Sequence, residues 1–139
     1  MAFDNPRDDE LRQLLHDAKV IAMVGASSDP SRPSNGVMSR LLRAGYRVIP
    51  VNPNEREVHG VPAVSSLGEI HEKVDIVDVF RRPEFTPDIA KDAVKIGAST
   101  LWLQLGVINE EAAHIAKAGG LNVIMDLCIA VELALLRPK

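Results

Sequence analysis

A polar turn after the first apolar run of the chain holds the residues best suited to bind an anion. The small and polar residues of this turn are Gly25, Ala26, Ser27, Ser28, Arg32 and Ser34. Serine hydroxyls donate to phosphate oxygens, and the helix expected after the turn presents unpaired N–H groups at its positive dipole end. A guanidinium beside that end is repelled unless an anion lies between them, so Arg32 favours a phosphate site. The alternative is that one serine only caps the helix.

The end of the second apolar run narrows the class of anionic ligand. Dinucleotide-binding domains carry an Asp or Glu about 20 residues after the glycine turn, where it accepts hydrogen bonds from the adenosine ribose. The corresponding stretch, residues 48–54, contains no acid. This disfavours NAD. An uncharged end followed by Asn52, Asn54 and Arg56 tolerates a phosphorylated ribose, which leaves NADP or a 3′-phosphorylated nucleotide such as coenzyme A.

The end of the third apolar run adds an aromatic ring and two guanidiniums, those of Phe80, Arg81 and Arg82. Phe80 is suited to pack against an adenine, although core packing is the commoner role of such a residue. Arg81 is suited to pair with a phosphate or a carboxylate, whereas Arg82 is expected to face solvent. Asp75 and Asp78 of the same run are interpreted as structural, capping the start of the strand and pairing with an arginine.

Residues for catalysis do not form a recognisable group. The four histidines stand far apart without the spacing of a zinc site. Ser27 lacks both a G-x-S-x-G pattern and a His–acid pair. Cys128 is at the start of the last helix, whose dipole would favour a thiolate and permit a mixed disulfide with a thiol cofactor, but an inert buried cysteine is commoner. We therefore expect a binding module without catalysis of its own and without a metal.

Apolar periodicity indicates the elements that position these turns. Strands are predicted at residues 20–24, 47–51, 74–80, 100–103 and 122–125, and helices at residues 7–18, 35–44, 67–70, 86–96, 109–118 and 128–136. Short buried strands alternating with helices predict an α/β fold, a single Rossmann-like doubly wound domain with a five-stranded, mainly parallel sheet and helices on both faces. Pro50 suggests that the second strand is interrupted or that this position faces an edge of the sheet. Ligands of such sheets bind at the carboxyl ends of the strands, where the candidate turns converge.

Composition bounds the organisation and the partners of the chain. Its 139 residues, 46% apolar and 25% charged, suit one globular domain. We expect residues 1–19 to form an amphipathic helix packed on a domain of residues 20–139. The net charge of -3 gives no general attraction to nucleic acid. No apolar run approaches the roughly 18 residues of a membrane span, and the acidic N-terminus differs from a secretory signal.

These features predict a cytoplasmic protein whose partner is a small nucleotide cofactor, with no nucleic acid or membrane partner. Whether it forms a homo-oligomer or binds a protein partner stays open. Charge is nevertheless unevenly distributed along the chain. Residues 32–56 contain five arginines and one acid, which gives this segment a net charge of +4. We assign most of these arginines to the favourable end of a helix dipole and retain Arg32 as the candidate ligand.

Taken together, these segments resemble the stand-alone CoA-binding domain family, which is similar to the CoA-binding N-terminal domain of the succinyl-CoA synthetase alpha subunit. The resemblance is carried by residues 24–28, Arg32, Ser34, residues 45–53, Gly60, residues 66–67, 74–81, 102–106 and 125–126. It implies a Rossmann-like domain that binds coenzyme A. Two departures, Leu127 where the family commonly has an arginine and Ala130 where a basic residue often follows, remove positive charge from the fifth turn.

The resemblance also implies which residues bind each part of the cofactor. The residues that would bind the phosphates are Gly25, Ala26, Ser27, Ser28, Arg32 and Ser34. The adenosine side would lie near Val51, Asn52 and Pro53, with Phe80 and Arg81. Gln104 and Gly106 would lie at the mouth of the cleft. Two alternatives stay open. One is an NADP-binding redox domain, and the other is a regulatory or scaffolding subunit that has lost its ligand.

Overall fold

A five-stranded parallel sheet organises the chain in the computed structural model, which describes residues 3–138. The strands are β1 (Val20–Val24), β2 (Arg47–Val51), β3 (Glu57–Val58), β4 (Val61–Pro62), β5 (Ile76–Val79), β6 (Thr100–Leu103) and β7 (Asn122–Ile124). The helices are α1 (Asp8–Asp17), α2 (Pro33–Arg43), α3 (Thr86–Lys95), α4 (Glu110–Ala118) and α5 (Ile129–Leu136). The large sheet has the order β2-β1-β5-β6-β7 and every pairing in it is parallel, which confirms the predicted fold class.

Alternation along the strands explains why helices cover both faces of the sheet. In β1, Ile21 and Met23 face a cluster that includes the apolar residues of α1, α2 and α5. Ala22 and Val24 face the opposite cluster, with alanines of α3 and α4. Successive strand residues point to opposite faces, so an entirely apolar strand requires a helical layer on each side.

The strand order places a topological switch point between β1 and β5. The chain leaves β1 towards β2 on one side and later returns through β5, β6 and β7 on the other. Loops after the two central strands therefore diverge to opposite faces and leave a crevice at their carboxyl ends. This crevice positions the candidate site.

Pro50 lies on the outer edge of the sheet, as predicted. Its carbonyl accepts a hydrogen bond from the N–H of Val64 at 3.0 Å, on the side of β2 that faces away from β1. The missing N–H of proline therefore removes no bond of the central ladder. The Val64 contact brings the next residues, Ser65 and Ser66, beside the end of β2.

The strand predictions did not include a short antiparallel hairpin, which β3 and β4 form. Its turn residues His59 and Gly60 both have positive φ, 52° and 77°. This is the requirement of a type I′ turn, which usually selects Asn or Asp before Gly. With two residues in each strand and His59 in the turn, the hairpin carries no clear sequence signal.

The two acidic residues of the third predicted strand, Asp75 and Asp78, differ in their hydrogen bonding. Asp75 accepts hydrogen bonds from the N–H groups of Lys19 and Val20 at 2.8 and 2.9 Å, so its role is structural, as predicted, but the strand start that it caps is that of β1 and not that of its own strand. The predicted arginine pairing of Asp78 is wrong, because its side chain is fully buried and neither carboxylate oxygen has a hydrogen-bond partner. Burial raises the pKa of Asp78 well above its usual value.

Candidate functional site

Gly25 allows the ends of β1 and β5 to approach closely. Its φ is +88°, a region that favours glycine, and an added Cβ would lie 2.5 Å from the carbonyl oxygen of Phe80. The same Cβ would lie 3.2 Å from Cδ of Arg81. A side chain at position 25 would therefore collide with the backbone that forms the opposite wall of the crevice.

Side-chain amides hold the turn after Gly25 in a fixed shape. Asn52 donates through Nδ2 to the carbonyl of Ala26 at 2.8 Å, and Asn35 donates through Nδ2 to the carbonyl of Ser27 at 3.0 Å. The Ser27 hydroxyl accepts from the N–H of Asp29 at 3.1 Å. Asn52, assigned to the adenosine side by resemblance, thus also ties the end of β2 to the turn.

The N-terminus of α2 opens beside this turn without a side-chain cap. Arg32 occupies the capping position with extended backbone, Pro33 begins the helix, and no side chain accepts from the first turn. Pro33 has no N–H, and the N–H of Asn35 bonds to the Arg32 carbonyl at 3.0 Å. Ser34 is almost fully buried in that turn. Within residues 3–138, no serine side chain therefore caps α2, which was the alternative interpretation of the serines in this turn.

Arg32 is the one arginine of the basic segment that borders the crevice. Arg40 and Arg43 lie in the last turn of α2, at the favourable end of its dipole, as predicted. Arg47 forms a two-point pair with Glu72, at 2.7 and 2.8 Å. Arg32 itself takes part in none of the ion pairs found among residues 3–138.

A carboxylate already interacts with part of the candidate phosphate turn. Glu55 accepts a hydrogen bond from the N–H of Ser28 at 2.8 Å. This bond holds the pKa of Glu55 below its usual value. The Ser28 N–H therefore donates to an anionic oxygen, but to one that the chain itself supplies.

An aromatic ring and two guanidiniums form the wall after β5. The Arg81 guanidinium carbon lies 4.5 Å from the centre of the Phe85 ring, and that of Arg82 lies 5.3 Å from it. Phe85 belongs to a single 3-10 turn, residues 83–85, that precedes α3. Cation–π contact orients both arginines at this edge of the sheet.

The segment before α5 is tied to the end of β6 by three hydrogen bonds. Asp126 Oδ1 accepts from the Gly106 N–H at 2.7 Å, Trp102 Nε1 donates to the Leu127 carbonyl at 2.8 Å, and Gln104 Oε1 accepts from the Ile129 N–H at 3.2 Å. Gln104 thereby satisfies one N–H at the start of α5. These bonds fix the far wall of the crevice, including Cys128.

These walls enclose a cleft of about 1300 Å³, which we call the switch-point cleft. The sequence-predicted residues that line it are Gly25, Ser27, Arg32, Ser34, Val51, Asn52, Pro53, Phe80, Arg81, Gln104 and Gly106. Two others lie outside its lining, since Ala26 is buried behind the turn and Ser28 faces Glu55. The charged residues of the lining are three arginines and two aspartates: Arg32, Arg81, Arg82, Asp88 and Asp92.

Several lining residues were not predicted as site residues. Phe85 reaches the cleft through the 3-10 turn, and Ser65 and Ser66 reach it through the contact between Val64 and the edge of the sheet. Cys128 also borders the cleft, although the sequence analysis discussed only the reactivity of its thiol and did not assign it to the site. A serine pair after an apolar run and an aromatic beside two arginines were weak signals for these positions.

Two further observations concern metal ions and membranes. No group of three or more His, Cys, Asp or Glu among residues 3–138 has the arrangement of a metal site. Within the same described residues, no helix is long and apolar enough to cross a bilayer.

An open parallel sheet with a cleft at its switch point is the architecture of Rossmann-like, doubly wound nucleotide-binding domains. Within this class, the chain belongs to the CoA binding domain family, which it matches over residues 19–134. The match begins one residue before β1 and ends within α5, so it includes every wall of the cleft.

Curated relatives include both a small protein and a subunit of a larger enzyme. The chain is 46% identical over 129 residues to the uncharacterized protein YneT of Bacillus subtilis, covering 93% of this chain and 96% of that protein. It is 30% identical over 123 residues to the alpha subunit of ADP-forming acetate–CoA ligase II of Pyrococcus furiosus. That alignment covers 80% of this chain and 27% of the subunit, about a quarter of its length.

Solved structures show the same fold over almost the whole chain. A hypothetical protein from Pyrococcus horikoshii OT3 superposes with a TM-score of 0.92 at 37% identity, covering 99% of each chain. A Thermus thermophilus protein, cell-free ID.343, has a TM-score of 0.90 at 41% identity, covering 94% of this chain and 99% of that one.

Proposed function

We propose that this protein binds coenzyme A, free or as an acyl thioester, in the switch-point cleft, without catalysis of its own. The observation that carries the proposal is the uncapped N-terminus of α2, with Arg32 beside it, opening into a cleft of a CoA binding domain. An unsatisfied helix N-terminus and an unpaired guanidinium together favour an anionic group between them.

The phosphates are assigned to the turn between β1 and α2. Ser27, Arg32 and Ser34 border the cleft there, and Gly25 lets the turn lie directly against the end of β5. The amides of Asn35 and Asn52 occupy the carbonyls of Ser27 and Ala26, so the turn is held in place before a ligand arrives. A preorganised turn loses less conformational entropy on binding.

The adenosine side is assigned to the ends of β2 and β5. Val51, Asn52 and Pro53 form one border of the cleft, and Phe80 and Arg81 form the other. The end of β2 carries no acid to select an unphosphorylated ribose, while Arg81 and Arg82 bring positive charge nearby. This arrangement supports a nucleotide with an additional ribose phosphate.

The relatives support coenzyme A as the class of ligand, but they give no support for the activity of a larger enzyme. The Pyrococcus furiosus protein is named an acetate–CoA ligase subunit, and this chain aligns with about a quarter of it. A CoA-binding role for the shared domain is consistent with both the family and the cleft.

A ligand panel tests the proposal. The reduced protein is titrated calorimetrically with CoA, acetyl-CoA, 3′-dephospho-CoA, NADP and NAD. We expect CoA to bind, 3′-dephospho-CoA to bind more weakly, and NAD not to bind. Binding of NADP without CoA would favour the redox-domain alternative, and binding of none would favour a subunit that has lost its ligand.

A further inference from the structure

Large apolar side chains that the fold leaves exposed gather at one border of the switch-point cleft. Five such side chains are exposed among residues 3–138, and three of them, Phe85, Leu105 and Ile108, belong to the segments that follow β5 and β6. Leu105 is 69% exposed and Phe85 is 38% exposed, and both line the cleft. Single exposed apolar residues are common on protein surfaces, whereas several that border one cleft indicate a binding surface.

Two hydrogen bonds anchor the loop that carries Leu105. The Gly106 N–H donates to Asp126 Oδ1 at 2.7 Å, which joins the loop to the end of β7. At the other end of the loop, Asn109 Nδ2 donates to the Pro83 carbonyl at 3.1 Å, in the 3-10 turn that precedes α3. Because the loop is held on both sides, a ligand that covers its apolar side chains costs little conformational entropy of the protein.

The charges around this border favour an uncharged ligand group. Residues 104–109 contain no charged residue, and Ile89 of α3 adds a further apolar side chain to the lining. The charged residues that α3 contributes to the lining are two carboxylates, Asp88 and Asp92. Lys91 lies 3.9 Å from Asp88 but is not part of the lining. A ligand group that ends in a carboxylate would therefore be repelled here, whereas an alkyl group gains from burial.

This border lies where the thioester end of the proposed ligand would reach. With the phosphates beside β1 and the adenosine at the ends of β2 and β5, the pantetheine arm runs towards β6. Neighbouring strands are about 4.8 Å apart, so the end of β6, two strands from β1, is about 10 Å away. An extended arm with two amide units covers that distance. Its sulfur then lies at the loop after β6.

Resting on the proposed function, we propose that Phe85, Ile89, Leu105 and Val107 form a subsite for the alkyl part of an acyl group. The preferred ligand is then the CoA thioester of an uncharged, apolar acid of medium chain length, rather than free CoA. An alkyl chain laid against Leu105 removes apolar surface of both partners from water. Burial of two methylene groups corresponds to about a tenfold gain in affinity.

A thioester series on the full chain tests the subsite. Calorimetry compares CoA, acetyl-CoA, succinyl-CoA and octanoyl-CoA, the last below its micelle concentration. We expect octanoyl-CoA to bind at least tenfold more tightly than CoA, and succinyl-CoA to bind no more tightly than acetyl-CoA. The succinyl group carries the terminal carboxylate that the border disfavours.

Two leucines of equal exposure provide the variant and its control. Leu105→Ser should reduce the ratio of the Kd values for CoA and octanoyl-CoA to less than threefold. Because both Kd values come from the same variant, any general effect on the fold or on nucleotide binding cancels in their ratio. Leu135→Ser should keep the ratio of the wild type, since Leu135 is 70% exposed but lies on α5 outside the cleft lining.

Equal affinities for CoA and octanoyl-CoA would overturn the inference, as would a succinyl-CoA affinity that matches that of octanoyl-CoA. A ratio that Leu105→Ser leaves unchanged, or that Leu135→Ser lowers equally, would also overturn it, because the alkyl chain would then bind elsewhere. If CoA binds without any gain from the octanoyl group, only the acyl subsite is wrong. If neither CoA nor any of its thioesters binds, the proposed function itself fails.

Discussion

The carbonyl oxygen of Phe80 lies where a side chain on Gly25 would begin, 2.5 Å from an ideal Cβ. The two residues end the strands on either side of the switch point. The N–H of Phe80 also bonds to the Val24 carbonyl at 2.8 Å, so the contact continues the ladder between β1 and β5. Glycine at this position therefore allows the ends of β1 and β5 to approach each other.

We expect Gly25→Ala to destabilise the protein by about 3 kcal/mol, because it combines a positive φ with a clash against backbone. Gly45→Ala is the matched control, since Gly45 has a φ of +98° and no atom within 4 Å of its Cβ position. It should lose about 1 to 2 kcal/mol from backbone strain alone. Urea denaturation measures both, and equal losses would show that the contact with Phe80 has no energetic consequence.

The buried carboxyl of Asp78 predicts an unusual dependence of stability on pH. Its pKa is raised in the folded state by burial, so between the unfolded value of about 4 and the folded value the native state holds the extra proton. This group's contribution to stability therefore falls as pH rises above about 4. Asp78→Asn removes the titration while keeping nearly the same shape.

We expect the free energy of unfolding of Asp78→Asn to exceed that of the wild type by a margin that grows from pH 4 to pH 8. Urea denaturation at several pH values gives this margin. A constant difference across that range would mean that Asp78 does not change its proton affinity on folding.

Glu55 competes for part of the phosphate turn, because its carboxylate accepts from the Ser28 N–H. Glu55→Gln should strengthen CoA binding severalfold at low salt, since it removes a negative charge near the proposed phosphates. Glu57→Gln, an exposed position on β3, is the control for net charge. Weaker binding by Glu55→Gln in calorimetry would indicate that the carboxylate assists the ligand.

The folded state also gains from this bond in a pH-dependent way. The pKa of Glu55 is lowered by the Ser28 N–H, so its stabilising contribution is present above the unfolded value and is lost as pH falls through the folded value. Glu55→Gln should therefore reduce the loss of stability of the wild type in acid. An unchanged acid transition would contradict the Ser28–Glu55 interaction.

The main strands and helices were predictable because the strands of the parallel sheet are short, largely apolar runs and helices α1 to α4 are amphipathic. Helix α5 is instead apolar except for Glu132. The location of the turn after Gly25 beside the other candidate turns was also predictable, because the carboxyl ends of parallel strands lie at the same edge of the sheet. The hairpin at His59 and Gly60 was not, because its strands are too short for periodicity and histidine seldom occupies that turn.

Tertiary contacts account for the other features that sequence reasoning missed. Asp78 was expected to pair with an arginine, but Arg81 lies against Phe85. The neighbours of Asp78 in the adjacent strands are Met23 and Trp102, which carry no charge. The position of Phe85 depends on a 3-10 turn with no periodic signal. The place of Cys128 in the cleft depends on bonds from β6, which spacing along the chain does not reveal.

The affinity of Arg32→Ala for CoA tests the central claim most directly. Calorimetry with reduced protein should show a loss of at least about 1.5 kcal/mol, or more than tenfold in Kd, as expected for a charge-assisted phosphate contact. Arg40→Ala removes the same charge from the far end of α2 and should change Kd less than twofold. Equal affinities for Arg32→Ala, Arg40→Ala and the wild type would contradict a phosphate site at the start of α2.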